Sequence, residues 1–127
     1  IASQKGKSIT QDQLGEVIIG VQDGTTGHQY AVDDYGEDHV VAYSTYALAF
    51  QALLNDQVDC IVLDDMVAKA YLAIHPELTM VQTTYEMEGF AFGVYKQDTG
   101  LVEALNSALQ ELIADGTVEQ IILKWSE

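Results

Sequence analysis

Two apolar runs in this chain each stop in small, polar residues and then pass into a helix-like pattern. Residues 17–21 are nearly all apolar and give way to Gln22-Asp23-Gly24-Thr25-Thr26-Gly27. Residues 58–63 do the same and give way to Asp64-Asp65. Strands that alternate with helices at such spacings call for right-handed crossovers and a mainly parallel sheet covered on both faces. The expected fold class is therefore α/β. In an open sheet of that kind ligands bind outside the carboxyl ends of the strands, where these polar endings fall.

The rest of the chain extends the pattern. Residues 1–14 are polar, contain Lys5-Gly6-Lys7, and read as a connecting segment. Tyr30 and Ala31 lie in a short helix that residues 33–38 end. Residues 40–43 form a second strand, and Ser44 or Thr45 caps a helix bearing Tyr46, Ala49, Phe50, Leu53 and Leu54 at helical spacing. Asn55-Asp56 ends it. Residues 66–74 are a third helix with Pro76 beyond its last turn, and residues 78–81 a fourth strand. Residues 89–95, with two glycines, read as a strand, and residues 101–114 as an amphipathic helix stopped by Gly116. Thr117-Val118-Glu119-Gln120 matches a capping box for a last helix whose inner face carries Val118, Ile121, Ile122 and Trp125.

Composition excludes several partners. Twenty acids stand against five lysines and no arginine, a net charge of −15. Such a surface repels phosphate backbones and anionic lipid, so neither nucleic acid nor a membrane surface is an expected partner. It also fits a salt-adapted or secreted protein. Hydrophobic residues make up 48% of the 127, enough for a packed core. Cys60 lies within an apolar run and reads as a small buried residue, so neither a disulfide nor a cysteine-rich metal site is expected. His28, His39 and His75 show no ligand spacing, so no metal and no other cofactor is expected. The chain opens at Ile1 with neither an initiator Met nor a signal-peptide pattern, and reads as processed, trimmed or excerpted.

The candidate chemistry sits at the two polar endings. A helix opening after Gly24-Thr25-Thr26-Gly27 presents unpaired N–H groups and a positive dipole end, and two hydroxyls add to its fitness for a carboxylate. The plain alternative is a strand-to-helix turn with a Thr cap. Gly20, Gly24 and Gly27 do not make a dinucleotide fingerprint, and no P-loop lysine comes after them. Asp64 and Asp65 exceed what one helix cap needs, so one carboxylate is left to accept an ammonium in a charge-assisted bond. An anion site and a cation site together suit a zwitterion. Tyr30 and Tyr43 are candidates to line the crevice. No nucleophile elbow or nucleophile–base pairing is visible.

In order along the chain, several segments resemble one family. They are Ile19 through Gly27, Tyr43-Ser44-Thr45-Tyr46-Ala47 with Gln51-Ala52-Leu53, and Val58 through Asp65 with Val67-Ala68. Gly89 through Lys96, Leu112, Ala114-Asp115-Gly116-Thr117, Ile121 and Lys124-Trp125 complete the set. The ordered set resembles the bacterial extracellular solute-binding proteins of family 3, the polar amino-acid receptors of ABC importers. The resemblance implies a periplasmic-binding-protein-like (type II) fold, two α/β lobes clamping an amino acid between them. It implies that 1–14 is a crossover segment, 15–84 the second lobe, and 85–127 a strand and two helices returning to a first lobe whose opening part is absent. The arginine that grips the ligand's α-carboxylate in that family would lie in the absent part. The resemblance gives Thr26, with Gly24 and Thr25 beside it, a supplementary hold on the carboxylate, and gives Asp65 the α-ammonium. Asp64 falls where relatives vary. Leu14-Gly15-Glu16-Val17-Ile18 departs from the family's usual Leu-x-Gly-Lys-Lys type of turn.

The resemblance further implies a binder rather than an enzyme, periplasmic or extracellular, with a lipoprotein anchor as one form, delivering an amino acid to ABC importer permease subunits. Two rivals share the scaffold: an enzyme of the cyclohexadienyl dehydratase type, and the sensor domain of a membrane receptor. Without the opposing lobe, the apolar faces of the last helices are expected either to fold back on the sheet or to pair with a second copy. The homodimer is the favoured outcome, because the second lobe already covers its sheet with its own helices.

Overall fold

The protein is described by a computed structural model over residues 1–85, 89 and 91–126, with the side chains of Leu123, Trp125 and Ser126 outside that description. The inward placement expected of Trp125, and Phe90 within the expected strand at 89–95, therefore lie outside the described residues. Contacts divide the chain into two units, Ile1–Thr84 and Tyr85–Glu127.

The first unit is a five-stranded sheet flanked by three helices. Its elements are β1 (Ala2–Gln4), β2 (Ile19–Gln22), α1 (Thr26–Tyr35), β3 (Val40–Tyr43), α2 (Tyr46–Leu54), β4 (Cys60–Ile61), α3 (Asp65–Ile74) and β5 (Leu78–Met80). The strand order is β3-β2-β4-β1-β5. β2 runs parallel to both β3 and β4, as the alternating pattern requires. β1 is antiparallel to β4 and to β5, so four of the five strands run in one direction and β1 alone runs against them.

The antiparallel part comes from the segment expected to be a connection. Ala2 and Ser3 lie opposite Ile61 and Cys60, and Ile1, Ala2 and Ser3 are all buried. A three-residue strand is too short to show an alternation of its own, and the polar stretch after it hides the apolar start. Beyond it, Thr10 and Gln13 form a capping box that opens a short 3₁₀ helix, Gln11–Glu16, which buries Leu14.

Successive residues of β4 point to opposite faces of the sheet, and each joins a different core. Cys60 packs with Leu14, Ile19, Val21 and Ala31 of α1. Ile61 packs with Ala2, Val58, Leu78 and the α2 residues Ala49, Phe50 and Leu53. Phe50 stacks on Tyr71 with ring centroids 3.9 Å apart. α2 starts at a Thr45 cap whose hydroxyl accepts from the Leu48 N–H, and ends at Asn55. Asp56 comes next with φ 56°, a left-handed turn that aspartate tolerates.

The thiol of Cys60 is fully buried, and burial pushes its pKa from 9.0 to about 12. The unfolded chain loses this proton near pH 9 and the folded chain near 12, so the folded state binds more protons between them. Its contribution to stability is present below pH 9 and is lost as pH rises through that window. The urea midpoint is expected to fall from pH 9 to 11, and to fall less in Cys60→Ala. An identical pH slope in the two chains would contradict the assignment.

The second unit holds α4 (Thr99–Ala114) and α5 (Thr117–Ser126). Asp98 caps α4 by accepting from the Leu101 N–H, and Gly116, at φ 81°, makes the left-handed stop. Thr117 is the first residue of α5 rather than its cap; the Asp115 carboxylate accepts from its N–H at 2.9 Å. The strand expected at 89–95 does not form among the described residues. A strand needs a ladder partner for its N–H and C=O groups, and among the described residues none pairs with this segment. No described helix is long and apolar enough to cross a membrane.

Candidate functional site

The carboxyl ends of three strands open on one edge of the sheet. β2 and β4 pair in parallel with Gly20 opposite Ile61, and the Val62 N–H extends the ladder to the Gly20 carbonyl at 3.1 Å. β3 pairs in parallel on the other side of β2, with Tyr43 opposite Gln22. The chain leaves β2 through the Gly24-Thr25-Thr26-Gly27 turn, β4 through Asp64-Asp65, and β3 through Ser44-Thr45-Tyr46. The two halves expected to receive a zwitterion thus stand at the ends of neighbouring strands.

Gly24 has φ 72°, which favours glycine, and its N–H points to His28 Nδ1 at 3.3 Å. The same ring nitrogen lies 3.3 Å from Asp23 Oδ1. Thr25 is the N-cap of α1: its hydroxyl accepts from the His28 N–H at 3.2 Å and donates to the Gln22 carbonyl at 2.8 Å. The Thr25 hydroxyl therefore holds the turn together. Thr26 is the first residue of α1 and is exposed. Gly27 lets the helix start close against the end of β4, because a Cβ there would sit 3.2 Å from the Val62 carbonyl oxygen.

Asp64 is the N-cap residue of α3, but its side chain makes no capping hydrogen bond. Asp65 opens the helix and is exposed. The Lys69 ammonium hydrogen-bonds to its Oδ2 at 2.8 Å and holds this carboxyl below the usual carboxylate range. Both partners are about half exposed, and an exposed pair of this kind is worth only about 0.3–0.5 kcal/mol. An incoming ammonium can share or replace Lys69 at little cost.

Tyr46 is the residue that helical spacing alone hides. It packs half-buried against the Phe50 and Leu53 core, as its position on the apolar face implies. Its N–H donates to Gln22 Oε1 at 3.1 Å. Burial pushes the pKa of its hydroxyl up. The Gln22 bond ties the start of α2 to the end of β2. The only signal in the sequence is that it, too, lies just past a strand end. Of the two tyrosines expected near the crevice, Tyr43 ends β3 at this same edge, opposite Gln22, and Tyr30 lies on α1.

No protein-family model matches the chain. Curated relatives do. The putative ABC transporter arginine-binding protein 2 of Escherichia coli (strain K12) is 34% identical over 127 aligned residues, 96% of this chain and 52% of the relative. Among solved structures, an ancestral arginine-binding protein bound to arginine is 32% identical with a TM-score of 0.83, over 98% of this chain and 57% of that one. An ABC uptake transporter substrate-binding protein from Streptococcus pneumoniae with bound histidine is 27% identical with a TM-score of 0.83, covering 98% and 55%. The chain spans about half the length of the relatives it matches.

Proposed function

We propose, from the premise that this chain is a homologue of the C-terminal portion of ABC-transporter amino-acid-binding proteins, that it forms one wall of an amino-acid cleft. The rim supports this reading through one observation above the others. Parallel neighbours β2 and β4 end in a helix-opening Gly-Thr-Thr turn and in a paired-acid corner, respectively. The turn suits a carboxylate, with Thr26 as the contact residue and Gly24 and Thr25 shaping its approach. Asp65 suits the α-ammonium, and Asp64 fixes the corner. The whole protein's role would be delivery of an amino acid to ABC importer permease subunits outside the cytoplasm. Binding, not turnover, is the proposed activity.

A two-ended site has a distinctive requirement. L-Arginine, agmatine (no carboxylate) and N-acetyl-L-arginine (no ammonium) can be compared by competition in equilibrium dialysis. Each analogue is expected to compete at least tenfold less well than arginine, since each loses a charge-assisted bond of about 1.5–3 kcal/mol. Agmatine competing as well as arginine would refute the carboxylate end.

A second copy is the partner proposed for the second unit when the chain is alone. Leu101, Leu112, Ile113, Ile121 and Ile122 of α4 and α5 are all 40% exposed or more. Ala91, Phe92, Val94, Leu105 and Leu109 line an apolar groove beside them. Burying an apolar side chain contributes about 1.5–3 kcal/mol, so a few of these offset the cost of pairing two chains. The net charge of −15 opposes pairing, but over a Debye length of about 8 Å at physiological salt. Light scattering should give twice 13.9 kDa, with more dimer as salt rises, and Leu112→Gln/Ile121→Gln should shift it to monomer. A monomer at every concentration and salt would contradict the pairing.

A further inference from the structure

We propose that His28 governs the anion end of the rim: the glycine–threonine turn accepts a carboxylate when the ring is protonated, and the neutral ring closes the turn by occupying it. This rests on the amino-acid reading of the site and adds to it a control by protons.

One atom carries the choice. His28 Nδ1 lies 3.3 Å from the Gly24 nitrogen, whose N–H is aimed at it, and 3.3 Å from Asp23 Oδ1. A single ring nitrogen cannot satisfy a donor and an acceptor together. With a lone pair on Nδ1, the ring accepts from Gly24 and faces the Asp23 carboxylate with no proton between them. With a proton on Nδ1, the ring donates to Asp23 and no longer accepts from Gly24. The aim of the Gly24 N–H matches a neutral ring whose proton is on Nε2.

The turn holds these groups in reach of one another. The Thr25 hydroxyl donates to the Gln22 carbonyl and accepts from the His28 N–H, which fixes the root of the ring. The Asp23 N–H donates to the Tyr43 carbonyl at 2.8 Å, and Gly24 follows with φ 72°. The His28 side chain is 27% exposed, so protons reach it from solvent.

Protonation acts on an anion in one direction through two effects. It releases the Gly24 N–H to join the unpaired N–H groups at the start of α1, and it balances the Asp23 charge beside the turn. Imidazole changes charge between about pH 5 and 8, whereas carboxylates and ammonium groups ordinarily hold theirs there. Across the rim, the start of α3 brings Asp64, Asp65 and Lys69 to the side that Gly27 approaches. Further along α1 come Asp33 and Asp34, and the 3₁₀ helix Glu37–His39 packs at the far end of α1. β2 adds no titratable side chain, and β3 adds Tyr43. His28 is thus the group in the turn whose charge changes in this range.

The experiment uses the ¹⁵N-labelled 127-residue chain at about 0.15 M salt. Its two probes are L-arginine and sulfate, an anion that keeps its charge across the range and carries no ammonium. In the ligand-free chain the neutral ring should show the ¹⁵N shifts of the Nε2–H form, and the Gly24 amide signal should follow the ring's own midpoint. Both probes should bind at Gly24–Gly27 about threefold to tenfold more tightly at pH 5 than at pH 8, the worth of one hydrogen bond. Linkage requires the reciprocal effect, so saturating sulfate should move the ring's midpoint upward. His28→Gln should lose the step although His39 and His75 still titrate, and Asp23→Asn should raise the affinity at pH 8 toward that at pH 5. A neutral ring protonated at Nδ1, a Gly24 signal indifferent to the ring, no anion response at the turn, or equal affinity at the two pH values would overturn the proposal. All four are read on the parent chain, so they decide the matter even if a variant folds poorly. Equal affinities with arginine still shifting both Gly24–Gly27 and Asp64–Met66 would leave the amino-acid reading intact. A sulfate step with no arginine response at Asp64–Met66 would leave the role of His28 standing and remove the amino-acid reading instead.

Discussion

Phe50→Ala is expected to remove about 3–5 kcal/mol from the stability of the first unit, the range for deleting a buried aromatic ring. Phe50 is 1% exposed, stacks on Tyr71, and packs with Ala2, Leu53, Val58, Ile61 and Leu78. It thereby joins α2 and α3 to the face of the sheet that β1 and β4 share. A small domain has only about 5–15 kcal/mol in hand, so this one change brings the unit close to unfolding. Phe50→Leu, which keeps most of the volume, should cost much less. The urea midpoints of the three chains, measured by circular dichroism, check the ranking. A Phe50→Ala midpoint equal to the parent's would mean that α2 is not seated on this core. The consequence reaches the rim as well, because α2 carries Thr45 and Tyr46.

The isolated chain is expected to bind free amino acids no better than millimolar. Each charge-assisted hydrogen bond contributes about 1.5–3 kcal/mol, and the rim offers two or three. Against them stand the loss of translational and rotational freedom, about 4–15 kcal/mol, and the displacement of Lys69 from Asp65. A millimolar dissociation constant corresponds to about −4.1 kcal/mol, near the most that such a sum leaves. The chain contains no arginine to add a bidentate hold on the carboxylate. Calorimetry with L-arginine, L-histidine and L-glutamine tests the ceiling. Micromolar binding abolished in Asp65→Ala would show that the chain completes a cleft by some other means.

Much of the sheet edge was legible because its signals are local. Residues 17–27 and 58–65 each carry a strand, its end and the start of a helix within about ten residues, so no distant partner is needed to read them. Thr45 and Gly116 were readable for the same reason: a cap or a left-handed stop depends on its nearest neighbours. What escaped depends on contacts far along the chain. β1 is a strand only because Ile61 and Met80 lie on either side of Ala2. Residues 89–95 have a strand's composition but, among the described residues, nothing to pair with. Tyr46 occupies a core position in its helix, and the bond from its N–H to the Gln22 side chain spans 24 positions of sequence. The commitment of the Thr25 hydroxyl to the Gln22 carbonyl and the His28 N–H was likewise not readable from composition or spacing.

Chemical-shift mapping of the ¹⁵N-labelled chain during titration with L-arginine tests the shared rim most directly. The expected result is that the largest amide shifts fall on Gly24–Gly27 and on Asp64–Met66 together, along one millimolar binding curve. Shifts at one of these segments alone, two unrelated curves, or shifts confined to residues elsewhere would contradict a single amino-acid site built across the ends of β2 and β4.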